Sequence, residues 1–408
     1  MFFTEEYNNN KILQWALGAL IFNYFIVFRY WLQVPHVTKT AFEKLDYVCP
    51  AYFQACGEFY FLFAPPFGYS QTFFYMLLFG GLLWAVYLLA EKRWREAQLV
   101  LMPYFLWHAF HVLFYSEHYS ANYEFYLVGY GIILLFLPHK EFFLKLFLVL
   151  LYSLSVAAKI HPAWIQGSYF TNLQLGLPIF PEFSIPFFAN LVMLMELVGA
   201  WFLFSKNPLL QRSALVFFIA FHLYSGILVQ YRYPATVLPM LLIVFGPWFR
   251  SQKVPLDRKS ILGWVFILCL LLMQLSPKLI SGDEKLTLEG NRYGLFMFES
   301  NHQCISTEKV YNNEEMVSSY DMVSANARFR CNPYRIWFRL KNLCEHNSSV
   351  TRIAWTFDHS INGDPFLRII DTENVCNLTY HPFKHNEWIK THEDNPKVIG
   401  YPVKNYYE

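Results

Sequence analysis

Charge is what this chain has least of. Only 15% of its 408 residues are charged, against about 25% in an ordinary soluble domain. That deficit excludes the two or three soluble domains such a length would otherwise suggest. The net charge is only +2 and no tract of Lys and Arg stands out, so nucleic acid is not an expected partner. The G-x-x-x-x-G-K-[ST] phosphate loop and the G-x-S-x-G nucleophile elbow are missing, which removes the common nucleotide hydrolases and the α/β-hydrolases. No His-rich box of the membrane di-iron type, no paired E-x-x-H carboxylates within the apolar runs and no C-x-x-C spacing occurs, and no metal is expected. Internal repeats and low-complexity tracts are absent as well.

What is abundant is apolar. Hydrophobic residues make up 55% of the chain and aromatics 20%, with 42 Phe, 28 Tyr and 12 Trp. Runs long enough to cross a bilayer, roughly 20 helical residues each, fill the chain to about residue 277. About half of the charged residues crowd into the part that follows. Nine segments can be marked: 12–32, 71–90, 97–116, 122–138, 142–158, 185–204, 214–230, 234–248 and 260–277. The connecting charges test them. Lys92, Arg93 and Arg95 fall in one connection, and Lys140 and Lys145 in or beside a second. Lys206 and Arg212 mark a third, and Arg250, Lys253, Arg258 and Lys259 a fourth. These are every second connection, as the positive-inside rule requires. The connections between them are poor in Lys and Arg, except 33–70 with Lys39 and Lys44. The first apolar run is long enough to remain as a span rather than be cleaved as a signal peptide.

The expected architecture is an all-α multispan membrane bundle of about nine transmembrane helices over residues 1–279, with a small C-terminal α+β extracytoplasmic domain over 280–408. An odd number of spans puts the amino terminus in the cytosol and the C-terminal domain in a periplasm or lumen. The alternating runs Val350–Phe357 and Phe366–Ile370, the turn Asn362-Gly363-Asp364-Pro365 and the helical spacing of Tyr334–Leu343 predict an antiparallel sheet with one helix. Cys49, Cys56, Cys304, Cys331, Cys344 and Cys376 all fall on the non-cytosolic side, where disulfides persist. Six cysteines allow 15 pairings, which spacing alone leaves open. Cys269 lies inside the last span and is expected to be a packed thiol. Asn347 and Asn377 begin N-x-[ST] tripeptides, which fit glycosylation acceptors in a host with an endoplasmic reticulum.

A charge at bilayer depth costs at least ~2.5–3.5 kcal/mol, so each one requires a reason. Arg29, His108, His111, Glu124, Lys159, Glu196, His222 and Arg232 are the candidates. Lys159 ends the fifth segment; it either snorkels to water or, desolvated, becomes a usable general base. Glu196 either satisfies a neighbouring helix or orients such a lysine. His108 and His111, three apart, share a helix face but lack third and fourth ligands, so packed histidines are expected. His222 is isolated in its segment.

The run Lys159-Ile160-His161-Pro162-Ala163-Trp164-Ile165-Gln166-Gly167 resembles the K-[LI]-x-x-x-W-[IV]-x-G signature of the vitamin K-dependent γ-glutamyl carboxylase family, which shares the horizontally transferred transmembrane (HTTM) domain. Asn122 to Gly129 is similar to the family's N-H-x-Y-L-x-G segment, Phe221-His222 to a Phe-His pair, and Leu45 to Cys49 to the segment around its loop cysteine. Glu196 falls where the family has an acidic residue before a small-residue run. Tyr293 to Phe298 resembles its Y-S-W-D-M-M stretch, Leu340 to Cys344 the segment of its second bridging cysteine, and Ile361 to Ile370 its N-D-rich turn and following strand. The likeness covers nearly all of residues 10–380.

The resemblance implies that Lys159 is the base that deprotonates vitamin K hydroquinone or another lipid quinol. Oxygen then adds, the resulting strong base takes a γ-proton from a glutamate side chain, and the carbanion captures carbon dioxide. It places Asn122, Tyr123 and His222 around the catalytic lysine, and Met297, Tyr293 and Trp164 around the quinol. It further implies a Cys49–Cys344 disulfide and an exported glutamate-containing peptide as partner, beside the lipid bilayer. The chain departs from the family pattern at Tyr123, where a His is expected, and at Gly294, Leu295 and Phe296, which replace polar members. Those departures leave an alternative, a catalytically inactive scaffold or partner subunit of the same fold. A transporter is a third class, but the inverted halves and broken helices it needs are not visible.

Overall fold

In a computed structural model the described residues are 4–33, 47–62, 71–115, 122–171, 177–228, 231–294, 301–325 and 330–394. Met297 therefore lies outside them, as do Lys39 and Lys44 of the first outward loop. Each of the nine expected apolar segments contains a helix among its described residues. The helices are α1 (Lys11–Gln33), α2 (Gln71–Ala90), α3 (Trp94–Phe110), α4 (Asn122–Phe136) and α5 (Lys140–Val156). They continue with α6 (Ile185–Leu197), α7 (Pro208–Leu228), α8 (Arg232–Phe245) and α9 (Ile261–Ile280). Four stretches are long and apolar enough to cross a membrane: Lys11–Trp31, Trp94–Phe114, Pro208–Ile227 and Arg258–Ile280. Tyr75–Ala90, Tyr123–Phe136 and Arg232–Phe245 are shorter apolar helices.

The chain divides into two compact units. The first comprises Met1–Pro50, Ala55–Val156 and Met193–Leu271; the second comprises Ala51–Gln54, Ala157–Val192 and Leu272–Glu408. In the first unit the helix ends are fixed by polar side chains that satisfy otherwise orphaned N–H groups. Asn10 Oδ1 accepts from Ile12 N (3.1 Å) and Leu13 N (3.3 Å) at the start of α1. The α5 terminus is capped from a distance: Glu6 accepts from His139 N and Lys140 N, each at 2.9 Å. Helices α3, α4 and α5 approach closely at two glycines. A Cβ on Gly131 would stand 2.2 Å from the Phe105 ring and one on Gly129 2.2 Å from the Phe147 ring, so only hydrogen fits there.

The second unit holds a four-stranded antiparallel sheet in the order β2-β1-β3-β4, made of β1 (His302–Asn312), β2 (Glu315–Ala325), β3 (Arg352–Ile361) and β4 (Leu367–Thr372). Helix α10 (Pro333–His346) follows, started by Asn332 Oδ1 accepting from Tyr334 N (3.0 Å) with Pro333 in its first turn. This is the small α+β arrangement with an antiparallel sheet that the alternating runs predicted. The β1–β2 hairpin was not among the expected elements.

The cysteines correct one expectation. Cys49 bonds Cys56, Cys304 bonds Cys331, and Cys344 bonds Cys376, so the Cys49–Cys344 bridge does not form. The reason is local geometry. Cys49 and Cys56 flank one short turn with Cα atoms 5.5 Å apart, and Cys344 in the last turn of α10 lies 5.7 Å from Cys376, within bridging range. Cys269 is free and exposed on α9 rather than packed.

Candidate functional site

Lys159 is buried, at 1% exposure, in the second unit. The signature residues around it have structural reasons for their identities. Lys159 ends in a turn closed by His161 N donating to Lys159 O (2.9 Å). Pro162 then opens a single helical turn, Pro162–Ile165. Trp164, 3% exposed, donates Nε1–H to Ala189 O on α6 (3.1 Å). Gly167 has φ +84° and lies against Ile185, so a side chain is excluded both by conformation and by space. Asn190 Nδ2 closes the loop onto Ile165 O (2.9 Å). The Lys159 Nζ sits 5.4 Å from the centroid of the Trp164 ring, a cation–π distance. The structure thus places the signature lysine beside the signature indole.

Tyr293 belongs to the second unit as well, but with other neighbours. Its hydroxyl donates to Pro382 O (2.7 Å), and its ring lies 5.5 Å from Phe383 and 5.8 Å from Tyr52. The remaining expected residues belong to the first unit. Asn122 opens α4, with its side chain outside the described residues. Tyr123 follows it, and the Arg232 guanidinium lies 5.1 Å from its ring and 3.4 Å from that of Tyr30. His222, fully buried on α7, shares a 2.6 Å hydrogen bond with Tyr152 Oη of α5. Glu196, the expected orienter of Lys159, is buried in the first unit. It is within electrostatic reach of Tyr126, Tyr152 and Tyr233.

Two polar clusters in the first unit carry more than the sequence suggested. Tyr126, Tyr152, Ser155 and Tyr233 line a small cavity of ≈ 10 Å³, next to His222, whose ring is 5.3 Å from Tyr233. Room there suffices for about one water. The second cluster is a buried histidine–carboxylate hydrogen bond. His108 Nε2 donates to Glu124 Oε2 at 2.8 Å, with side chains 0% and 2% exposed. Trp31, Tyr24 and Phe28 of α1 and Trp107 of α3 wall it. A π-helical turn, His111–Tyr115, continues α3 there. Such turns recur at functional sites. His108 and His111 are buried, as expected of packed histidines; the pairing of His108 with Glu124 was not foreseen. Among the described residues no three His, Cys, Asp or Glu side chains converge as a metal site.

In the second unit, away from any span, burial drives the ionisation. His359, fully buried on β3, has its pKa pushed down to about 4 by desolvation. It donates Nδ1–H to Leu286 O (2.7 Å), which leaves Nε2 to accept from His302 Nδ1–H (3.0 Å). Glu308 on β1 is pushed up by burial, against the opposing pull of Arg339, which donates to it.

Sequence reasoning missed Tyr126, Tyr152, Tyr233 and Ser155. The available signal was weak: Tyr152 and Ser155 are three apart on one helix face, yet a tyrosine inside an apolar run reads as another aromatic. No protein-family model, curated protein or solved structure matches the chain.

Proposed function

We propose that this protein is a multispan membrane enzyme in which Lys159 acts as base on a lipid quinol, in the manner of the vitamin K-dependent γ-carboxylases that its signature resembles. The observation that carries this reading is a lysine held at 1% exposure beside the face of a fixed indole. A general base must lie within reach of the proton it takes, and a lysine serves only as the neutral amine. The Trp164 ring is a flat apolar wall, which fits a flat aromatic acid. When bound, a quinol supplies the reducing equivalents that let oxygen generate a strong base for removing a glutamate γ-proton. The chain's own contribution is to hold the amine dry and position it. In this reading all nine apolar helices cross the bilayer, the amino terminus is cytosolic, and the domain from residue 280 faces a periplasm or lumen, where it meets an exported glutamate-containing peptide.

A second reading is favoured by a specific observation. The polar groups of the first unit engage one another, His108 with Glu124 and Tyr152 with His222, as expected of a scaffold whose buried polar groups serve packing. The test uses purified full-length protein in lipid nanodiscs with a naphthohydroquinone, oxygen, labelled bicarbonate and a glutamyl peptide. The expected result is quinol-dependent oxygen uptake by the wild type, lost in Lys159→Ala at unchanged melting temperature. Uptake that does not differ between the two proteins defeats the base assignment and favours the scaffold.

A further inference from the structure

A cavity of about 530 Å³ in the first unit is not used by the quinol reading. Its volume lies within the range of small-ligand sites. It opens at the end of the unit that carries residues 4–10, 139–142 and 250–255, and every residue lining it belongs to that unit.

Its chemistry is mixed in sign. On its floor Glu141 is already committed: Lys145 Nζ (2.6 Å), Asn10 Nδ2 (2.5 Å) and Arg250 Nη2 (3.5 Å) all approach it. What remains at the rim is one carboxylate and one ammonium. Glu5 and Lys253 both line the cavity, and neither has an ion-pair partner among the described residues. Gln252, which also lines the cavity, has a buried Oε1 acceptor with no donor among the described residues. A buried acceptor normally finds a partner, and a ligand carrying an N–H or O–H donor would supply one. The cavity also lies beside the ends of apolar helices, at the start of α1 and after α8. Trp15 and Trp248 stack at the same end of the unit, with centroids 5.9 Å apart, and Trp264 donates Nε1–H to Pro255 O (2.9 Å). Tryptophans gather at the membrane–water boundary because their rings are apolar and their N–H is not.

We propose that this cavity binds the phosphoethanolamine headgroup of a membrane lipid. The phosphate lies against Lys253 and the outward face of Arg250, as a charge-assisted contact. The ammonium lies against Glu5 and donates to Gln252 Oε1. A phosphocholine headgroup carries the same charges but no N–H, so it leaves Gln252 unsatisfied. An anionic lipid has no cation for Glu5.

The test is a set of melting-temperature titrations of detergent-solubilised full-length protein. The probes are dihexanoyl-phosphoethanolamine, dihexanoyl-phosphocholine, glycerophosphoethanolamine and inorganic phosphate. A saturable rise in melting temperature with the phosphoethanolamine lipid, at least tenfold tighter than with phosphocholine, is expected. Glu5→Gln and Lys253→Gln each weaken it about tenfold while leaving the unliganded melting temperature in place, because both side chains are exposed. Glycerophosphoethanolamine, which has no chains, binds more weakly than the lipid. Equal binding of the two lipids, equal binding by the variants, an equal response to phosphate alone or no response at all each overturns the proposal. Equal binding of the chain-free headgroup overturns the assignment to a lipid. None of these readouts depends on Lys159, so the failure of either proposal leaves the other standing.

Discussion

Acidification should loosen the sheet of the second unit through one imidazole. His359 has a pKa of about 4 in the folded protein, against about 6.5 in an unfolded chain. Below pH 6.5 the unfolded chain takes up a proton that the folded protein refuses until about pH 4. The stability tied to neutral His359 is therefore complete above pH 6.5 and falls as pH drops through the window from 6.5 to 4. Over that whole window the loss is on the order of 3 kcal/mol, at 1.36 kcal/mol per unit. Between pH 7 and 5 it is about 2 kcal/mol, or roughly 30-fold in the opening equilibrium. Structurally, a proton on Nε2 removes the acceptor that His302 Nδ1–H uses and places a charge beside Phe357 at a ring distance of 5.8 Å. Amide hydrogen exchange of the β1 and β3 peptides in full-length protein, corrected for intrinsic pH dependence, measures this opening. Glu308 works in the opposite direction, since its carboxyl is pushed up by burial. The informative quantity is thus the difference between wild type and His359→Gln, which cannot titrate. Wild type should lose about 30-fold more protection on going from pH 7 to 5. A pH response that matches the variant within twofold refutes the reasoning.

Four further outcomes follow from named contacts. Non-reducing peptide mapping should recover Cys49–Cys56 and Cys344–Cys376 peptides; a Cys49–Cys344 peptide would contradict the pairing. Removing the Cys344–Cys376 bridge, with its 32-residue separation, should cost more than removing Cys49–Cys56, with 7. Chain entropy gives about 3.7 against about 2.4 kcal/mol, readable as melting shifts. Glu124→Leu should cost about 1–3 kcal/mol by stranding the His108 donor, and adding His108→Leu should cost less than the sum of the single changes; strict additivity in thermal melts would mean that the two residues do not couple. Trp164→Phe should cost about 1 kcal/mol for the lost bond to Ala189 O, and Trp164→Ala about 3–5 kcal/mol. Equal shifts for both would show that the indole does not anchor the loop.

The sequence made the helices legible because their signal is long and local. A run such as Ile261–Ile280 needs no partner to be read as an apolar helix. The same holds for β3 and β4, whose apolar alternation and Asn362-Gly363 turn sit within twenty residues of one another. The β1–β2 hairpin was not readable, for a physical reason. The inward positions of β1 are His302, Cys304, Ser306 and Glu308, all buried, so no apolar alternation marks the buried face. Each is accommodated by something remote in sequence: His302 by His359, Cys304 by Cys331, Ser306 by the indole N–H of Trp355, and Glu308 by Arg339. Hydropathy sees the polar atom but not the partner that neutralises it.

The candidate site follows the same division. Lys159, Trp164 and Gly167 form one short loop, and their spacing is the structure: a buried amine, an anchoring indole and a left-handed glycine, each needed within nine residues. His222 and Tyr152 are 70 residues apart, and His108 and Glu124 are 16 apart on different helices. Inspection of the spans finds each of these charges and rings but cannot match them. The cysteines make the point in reverse. A likeness of segments suggested a long-range bridge at Cys49, whereas the bond that forms joins residues only 7 apart. Short closure has the lower entropic cost, and where a nearby thiol lies at bridging distance it takes precedence over a partner inferred from resemblance. Buried polar pairs in this chain are therefore better assigned by asking which partner removes the desolvation cost than by which motif the residue belongs to.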